Sequence, residues 1–466
     1  MEPCSQCLVL LQRLAELEAK VEQLSRANDE LRRLLEDARR GGKRQAAPFR
    51  KGPPKANPKT PGRKSGEQHG QHGQRPPPDG AFDQVLEANL PVACPYCFGN
   101  LVETHTDQQT QVDLPRQPLR RLINIHCGKC QTCHATVRGH HPQQTSDATG
   151  AAAHQVGPDA QAAVVILNKD CGLSHAKVAK VMTRLLGIPL TRGASSQIVL
   201  RAGQRLEGAY QEILGQLPVH DWLSVDETGW RIGGHPAWLH VWVGARATAY
   251  AIDPQRDADR LEQVIGIDWT GTLVHDGWSS YDRFDCAMHQ QCQAHVLVRA
   301  KELAAAAVGR AKVFPRQVIK LCQASLATRD QFEAGQLDAA ALEQARQEYV
   351  GQLLDLTSRP RTNAANETFA RHLYHYAEQW FTFLETPGLP ATNWPAEQAT
   401  RPAVVNRKVW GGNRTPDGAH AQEVTMSVLA TCKQLTLSAL DYVSQALRHI
   451  APKLFPLPIA VAGANQ

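Results

Sequence analysis

No uninterrupted apolar run in this 466-residue sequence reaches the roughly 20 residues that a membrane-spanning helix needs. No basic residue precedes the first apolar cluster in MEPCSQCLVLLQRL, so no secretory signal is expected. No glycine-rich nucleoside-triphosphate loop is present, and the chemistry is therefore expected to need no ATP. With no export signal, cysteines clustered in Cys-x-x-Cys pairs point to metal before disulfide, and the cytoplasm is the expected location. The length accommodates about three or four domains. Net charge is only +6, but it is unevenly spread. Between Gly41 and Gly80, nine Lys and Arg residues face only Glu67 and Asp79.

From Leu10 to Leu35 the apolar residues recur at alternating steps of four and three. Leu10, Leu17, Leu24 and Leu31 occupy d; Leu14, Val21, Asn28 and Leu35 occupy a. Leucine at d with one Asn at a predicts a parallel two-stranded coiled coil over residues 1–40, with paired asparagines fixing the register. Residues 41–80 read as a basic disordered linker. Its Pro-Gly-Arg-Lys piece offers Arg63 and Lys64 to a narrow A·T-rich minor groove, although a solvated tether explains the same composition.

Residues 81–142 carry CPYC (Cys94, Cys97) and CGKCQTC (Cys127, Cys130, Cys133), separated by strand-like alternation. Two cysteine knuckles joined by short strands predict a zinc ribbon, because tetrahedral Zn²⁺ takes four soft ligands from two tight turns. Cys127 continues the alternation of Ile123 and Ile125, which favours Cys130 and Cys133 as the second pair over Cys127 and Cys130. Residues 150–220 turn helical: one helix, a second from Ser174, a turn at Gly187–Leu190, and a third capped near Thr191 or Ser195. That spacing suits a helix-turn-helix DNA-binding domain, and equally a trihelical packing unit.

WLSVDETGWRI opens the segment 221–299 with two acids at the end of an apolar, β-rich run. Three strands are expected, turning near Gly233-Gly234 and Gly244-Ala245, then a short helix, then a fourth strand ending in Asp276. This is the opening order of a ribonuclease-H-like α/β fold, in which the first and fourth strands are neighbours. Asp226 and Asp276 would then meet at one sheet edge, where a cation such as Mg²⁺ or Mn²⁺ relieves their repulsion. Alternation turns Glu227 away from Asp226, to a supporting or solvent-facing position. A helical insertion over about 300–390 precedes the second part of the core, 391–452, and a tail, 453–466. In that second part Asn393 can cap a helix, Pro395 suits its first turn, and Glu397 lies one turn inside. Arg401, Arg407, Lys408 and Arg414 follow as phosphate-binding candidates. Glu367 is the rival acid, without the proline or the basic stretch. Cys292 and His295 have ligand-like spacing, for which a buried thiol and a satisfied histidine are the commoner explanation. Trp230 and Trp278 follow the aspartates and read as core before base-stacking platforms.

In SVDETGW, VHDGWSSYDRF, CQAHVLVRAKEL and NWPAEQATRPAVVNRK the chain resembles the DDE transposases of bacterial insertion-sequence family sixty-six. PGRKSGEQHG, CPYC, CQTCHATVRGHHP and GLSHAKVAKVMTRLLGIPLT match upstream and in order, so the likeness spans nearly the whole chain. The family usually places a small or polar residue and Ala before the glutamate and Arg after it; here Trp394-Pro395 precede Ala396 and Gln398 follows Glu397. The resemblance implies a metal-binding triad of Asp226, Asp276 and Glu397, with structural zinc on Cys94, Cys97, Cys130 and Cys133. It also implies cleavage at terminal inverted repeats and strand transfer into target DNA, in the bacterial cytoplasm at the nucleoid. A homodimer through the zipper and accessory proteins of the same element are the expected partners, with no membrane. A non-cleaving DNA-binding descendant and a nuclease of the same fold are the alternatives.

Overall fold

The computed structural model describes residues 13–14, 16–28, 30–31, 81–82, 85–86, 90–93, 95–100, 102, 118–148, 150, 154–449 and 452–455. Leu10, Leu35, Arg63, Lys64 and Cys94 lie outside the described residues. The chain divides into two compact units, Met1–Asp113 and Leu114–Gln466. In the first, the described residues between 13 and 31 are helical. Leu14, Leu17, Val21, Leu24 and Leu31, the described apolar a and d positions, are each more than half exposed.

The second unit begins with a small hairpin, β1 (Cys127–Lys129) against β2 (Thr136–Arg138), antiparallel with Cys127 opposite Arg138. Helices α1 (Pro158–Lys169), α2 (His175–Arg184) and α3 (Arg192–Gln216) follow. Their starts are written locally. Pro158 stands in the first turn of α1, the Ser174 hydroxyl accepts the Lys177 N–H, and the Thr191 hydroxyl accepts the Ala194 N–H. Thr191 is therefore the cap of the third helix; Ser195 is buried and bonds His175 instead.

A five-stranded sheet comes next: β3 (Trp222–Ile232), β4 (His235–Val243), β5 (Thr248–Asp253), β6 (Thr272–His275) and β7 (Met288–Gln291), in the order β5-β4-β3-β6-β7. The pairs β3–β4 and β4–β5 are antiparallel; β6 runs parallel to both β3 and β7. Helix α4 (Asp259–Ile265) makes the crossover from β5 to β6. Helices α5 (Gln293–Ala306), α6 (Val313–Glu333), α7 (Ala339–Ser358) and α8 (Ala364–His375) pack around Phe314, Val318, Phe369 and Trp380 in a cluster that also takes in Val274 of β6. The chain then returns with α9 (Trp394–Trp410), α10 (Pro416–Gln434) and α11 (Ala439–Arg448).

Strand alternation sorts the two faces of the sheet. Leu223, Val225, Trp242, Ala249 and Ala251 point into one cluster with Val164, Ile198, Leu206 and Val428. Leu239, Val241, Tyr250 and Ile252 point into another with Ala396 and Ala403 of α9. The helices of 158–216 thus share their core with the sheet, and α3 buries a stripe from Ile198 to Ile213 along it. Gly203 lets α3 close on α10: a Cβ there would sit 2.8 Å from the Ala421 Cα. Helix propensity alone makes Gly203→Ala stabilising by about 1 kcal/mol, but this contact reverses the sign to a loss of about 1–3 kcal/mol. Gly208, in the same helix with open space around it, is the control. Urea unfolding should find Gly208→Ala at or above wild-type stability and Gly203→Ala below it.

Candidate active site

Asp226 lies where β3 passes beyond its parallel pairing with β6, which runs from Trp222–Thr272 to Ser224–Val274. Its strand neighbour is Val241, so it faces α9. One carboxylate oxygen accepts the Glu227 N–H at 2.9 Å and the other accepts the Thr400 hydroxyl of α9 at 3.2 Å. Burial pushes the Asp226 carboxyl up to about 6, and the negative charges of Glu227 and Asp276 add to the rise. The two hydrogen bonds lower it but do not offset burial and the neighbouring acids together.

Asp276 immediately follows β6 and is exposed, accepting the Trp278 N–H at 3.1 Å. The turn depends on Gly277: its φ is +92°, and a Cβ would meet the Gln291 amide oxygen at 2.8 Å. Below it, buried His275 bonds His289 at 3.0 Å, and burial with the neighbouring imidazole lowers it to about 3.

Glu397 sits in the first turn of α9. Asn393 occupies the cap position, but its side chain makes no cap bond. Instead the fully buried amide donates to the Val225 carbonyl at 2.9 Å, fastening α9 to β3 one residue before Asp226. The Asn393 N–H in turn donates to the Cys292 sulfur at 3.1 Å. His295, one turn into α5, brings Nδ1 to 3.9 Å from Glu397 Oε1. A hydrogen bond with Cys292, reinforced by Glu397 and Asp276, raises the imidazole to about 9. Among the described residues, Cys292, His295 and Glu397 have potential ligand atoms within 4.8 Å of one another; Asp226, Asp276 and Glu397 are not gathered that closely. His295 therefore belongs to the site, and the Cys-x-x-His spacing directly after β7 was its signal.

The basic residues divide. Arg401 and Lys408 are exposed on α9. Arg407 turns inward, donating to the Thr228 hydroxyl at 3.0 Å and to the Gly229 carbonyl, so it holds α9 to β3. Glu227 is not solvent-facing: its side chain is 2% exposed, paired with Arg256 at 2.5 Å, and accepts the Tyr281 hydroxyl at 3.1 Å. Arg256 lies over both Trp238 and Trp278. Trp230 is core, its indole N–H donating to Asn413. Glu367 accepts the Arg361 N–H at the start of α8. A cleft of about 340 Å³ beside Asp276 is bounded by His295, Arg299, Thr368, His372 and Trp380.

Between β1 and β2, Cys130–Cys133 form a tight turn in which Cys130 N donates to Ala135 O and His134 N to Cys130 O. Hydrogen bonds from the Cys133 and Thr132 amides lower the Cys130 thiol, as a metal-binding thiolate requires. Cys127 lies on the paired strand.

Because the folded-state pKa of Asp226 is raised, the native chain binds this proton more tightly than the unfolded chain does. The carboxylate therefore destabilises the fold above pH 6, and that penalty fades as pH falls towards 4. In chelator, Asp226→Asn should raise stability at pH 7.5 by about 1–2 kcal/mol after allowing for solvent screening. The gain should shrink to nothing near pH 4, as read by urea unfolding across the range.

A profile of the Transposase IS66 family matches residues 153–421, from the helices before the sheet through α9 and into α10. A stretch of 79 residues is also 33% identical to "Uncharacterized protein y4jO" of Sinorhizobium fredii (strain NBRC 101917 / NGR234), covering 17% of this chain and 25% of that protein. The chain thus spans about a quarter of the length of that relative. The profile takes in more than half of the chain, including Asp226, Asp276 and Glu397 together. The chain belongs to the IS66 family of transposases.

Proposed function

We propose that the protein binds the ends of its insertion sequence, cleaves a DNA strand there and joins the freed end to target DNA. Asp226, Asp276 and Glu397 would hold Mg²⁺ or Mn²⁺ in a ribonuclease-H-like core. The observation that carries this reading is the place of Asp226, buried beyond the parallel pairing of β3 with β6 and bonded to Thr400 of the helix that bears Glu397, with neighbouring acids raising its carboxyl further. Hard oxygen donors in excess of positive charge suit Mg²⁺ or Mn²⁺. The sheet order, with β4 antiparallel and β6 parallel to β3, supports the ribonuclease-H-like assignment. Bound ions would supply Lewis-acid activation of the attacking water or 3′-hydroxyl and stabilisation of the leaving oxygen.

The chain's own residues do the positioning. Thr400 and the Glu227 amide orient Asp226, Asn393 sets the height of Glu397 above β3, and Gly277 turns Asp276 outward. The buried Cys292 sulfur accepts a backbone N–H, which marks it as support for the α9 start. Arg401 and Lys408 on α9 are available to DNA phosphates, which set affinity and register without reading sequence. The exposed a/d seam of the N-terminal helix supports a dimer that holds two ends together, and the Cys130–Cys133 turn supports zinc shared with Cys94 and Cys97. The basic arm with Arg63 and Lys64 and the helices of 158–216 are the proposed end-binding parts.

Labelled duplex carrying the DNA that flanks this gene, incubated with Mg²⁺, tests the reading. Wild type should nick at one site and form joined products, and Asp226→Asn and Glu397→Gln should lose about a thousandfold or more in rate. Binding without nicking would establish the non-cleaving alternative, and nicking without joining the nuclease. Metal analysis tests the ribbon separately: zinc should be lost in Cys130→Ser and Cys133→Ser and retained in Cys127→Ser. Loss in Cys127→Ser with retention in Cys133→Ser would reassign the second knuckle.

A further inference from the structure

Some distance from the carboxylates lies a cavity of about 600 Å³, enclosed by the end of α1, the start of α3, the end of α9 and the start of α10. Lys169, Arg192 and Arg414 line it together with His175, and among the described residues no Asp or Glu does. Lys169 is 3% exposed, yet no carboxylate pairs with it among the described residues. Its ammonium donates to the Gln422 amide oxygen and lies 5.7 Å from the centre of the Trp410 ring. Burial alone lowers Lys169 to about 7. Burial and the Lys169 charge together lower His175 to about 4.

Burying a cation without a counter-ion is expensive, and gathering further positive charge around it raises the cost. Here the field is strengthened from two more directions. The 25-residue α3 and the 19-residue α10 both begin at the cavity, with Gly193 and Thr415 on its wall. Helix amino termini carry partial positive charge and free N–H groups. Asn168 contributes a further polar atom: it is 1% exposed, and its side-chain oxygen has no hydrogen-bond partner. An anion that also offers a hydrogen-bond donor would pair with both the cations and the Asn168 oxygen. A nucleotide satisfies both requirements, with its phosphate on the cations and its base against Trp410. The volume falls in the range of small-ligand sites.

We propose that this cavity is a second nucleotide-binding site that holds a phosphate of the DNA during transposition. The DNA source rests on the reading of the chain as a DNA-cleaving transposase. Trp410 lies thirteen residues beyond Glu397 on the same helix, about 20 Å along its axis. That span corresponds to about six base pairs of duplex, so the cavity grips the backbone at a fixed step from the cut. A free mononucleotide is the other source of the same chemistry.

The test uses the full-length protein with the flanking-DNA duplex, titrated between about 50 and 200 mM salt. Arg192 and Arg414 are exposed, so Arg192→Ala and Arg414→Ala should leave the melting temperature unchanged. Each should weaken DNA binding about tenfold and lower the salt slope by about one. Lys169→Met, which replaces a buried cation by an apolar side chain of similar length, should do the same. In parallel, dAMP and inorganic phosphate are titrated against tryptophan emission, with Trp410→Phe assigning the signal. Loss of duplex affinity without a dAMP response upholds the DNA assignment. A dAMP response lost in Arg414→Ala upholds the phosphate site with a mononucleotide as occupant. Wild-type affinity and slope in all three variants, with no dAMP response, overturns the proposal. If that result comes with normal nicking, the catalytic reading survives. If the variants lose affinity while wild type never nicks, the cavity stands and the catalytic reading fails.

Discussion

An acid buried at the end of two parallel strands, with other carboxylates beside it, is the constraint around which this site is arranged. Asp226 is set into the sheet core, where burial and its acidic neighbours oppose its ionisation. The fold tolerates this because the surrounding structure fixes the acid from several directions. Thr400 and a backbone amide take its oxygens, and Arg256 neutralises Glu227 on the opposite face. Asn393 and Arg407 fasten α9 to β3 on either side of it, through Val225 and through Thr228 and Gly229. The hydrogen bonds and the Arg256 counter-ion offset part of the cost of this acid, and a cation is suited to offset the rest.

The insertion between β7 and α9 takes part in the same arrangement. Its first helix starts at Cys292, whose sulfur receives the Asn393 amide, and one turn later His295 stands beside Glu397. The segment that separates the second and third acids in the chain therefore also sets the position of the third. Its α8 contributes Thr368 and His372 to the cleft beside Asp276, which is therefore walled by residues from both the sheet and the insertion.

Much of this was legible in the sequence because it depends on local rules. Period-two alternation from Trp222 onward, broken by Gly233-Gly234, gave the strands; the acids stood at their tips. Ser174, Thr191 and Pro395 marked helix starts through short-range capping and proline geometry. What stayed hidden depends on partners distant in sequence. Asn393 occupies a cap position, yet its amide is drawn to Val225, 168 residues away. Arg407 belongs to a basic run, but the strand beneath it offers a carbonyl at the right height. Alternation leaves Glu227 either supporting or solvent-facing, and only the fold shows that Arg256, itself over two tryptophans, covers it. The Cys292–His295 spacing is visible in the sequence, but Glu397 as their neighbour appears only when α9 is laid beside them. The helices of 158–216 read as a separate unit because nothing local reveals that Ile198 and Leu223 share one core.

The central claim is that these acids hold a divalent metal ion. Mn²⁺ binding followed by electron paramagnetic resonance, on protein purified without chelator, tests it most directly. The account predicts that wild type removes the free-ion signal and that Asp226→Asn, Asp276→Asn and Glu397→Gln each weaken binding by at least about tenfold. Mn²⁺ affinity that survives in the Asp226 and Asp276 variants, and falls instead with Cys292→Ser and His295→Ala, would contradict it.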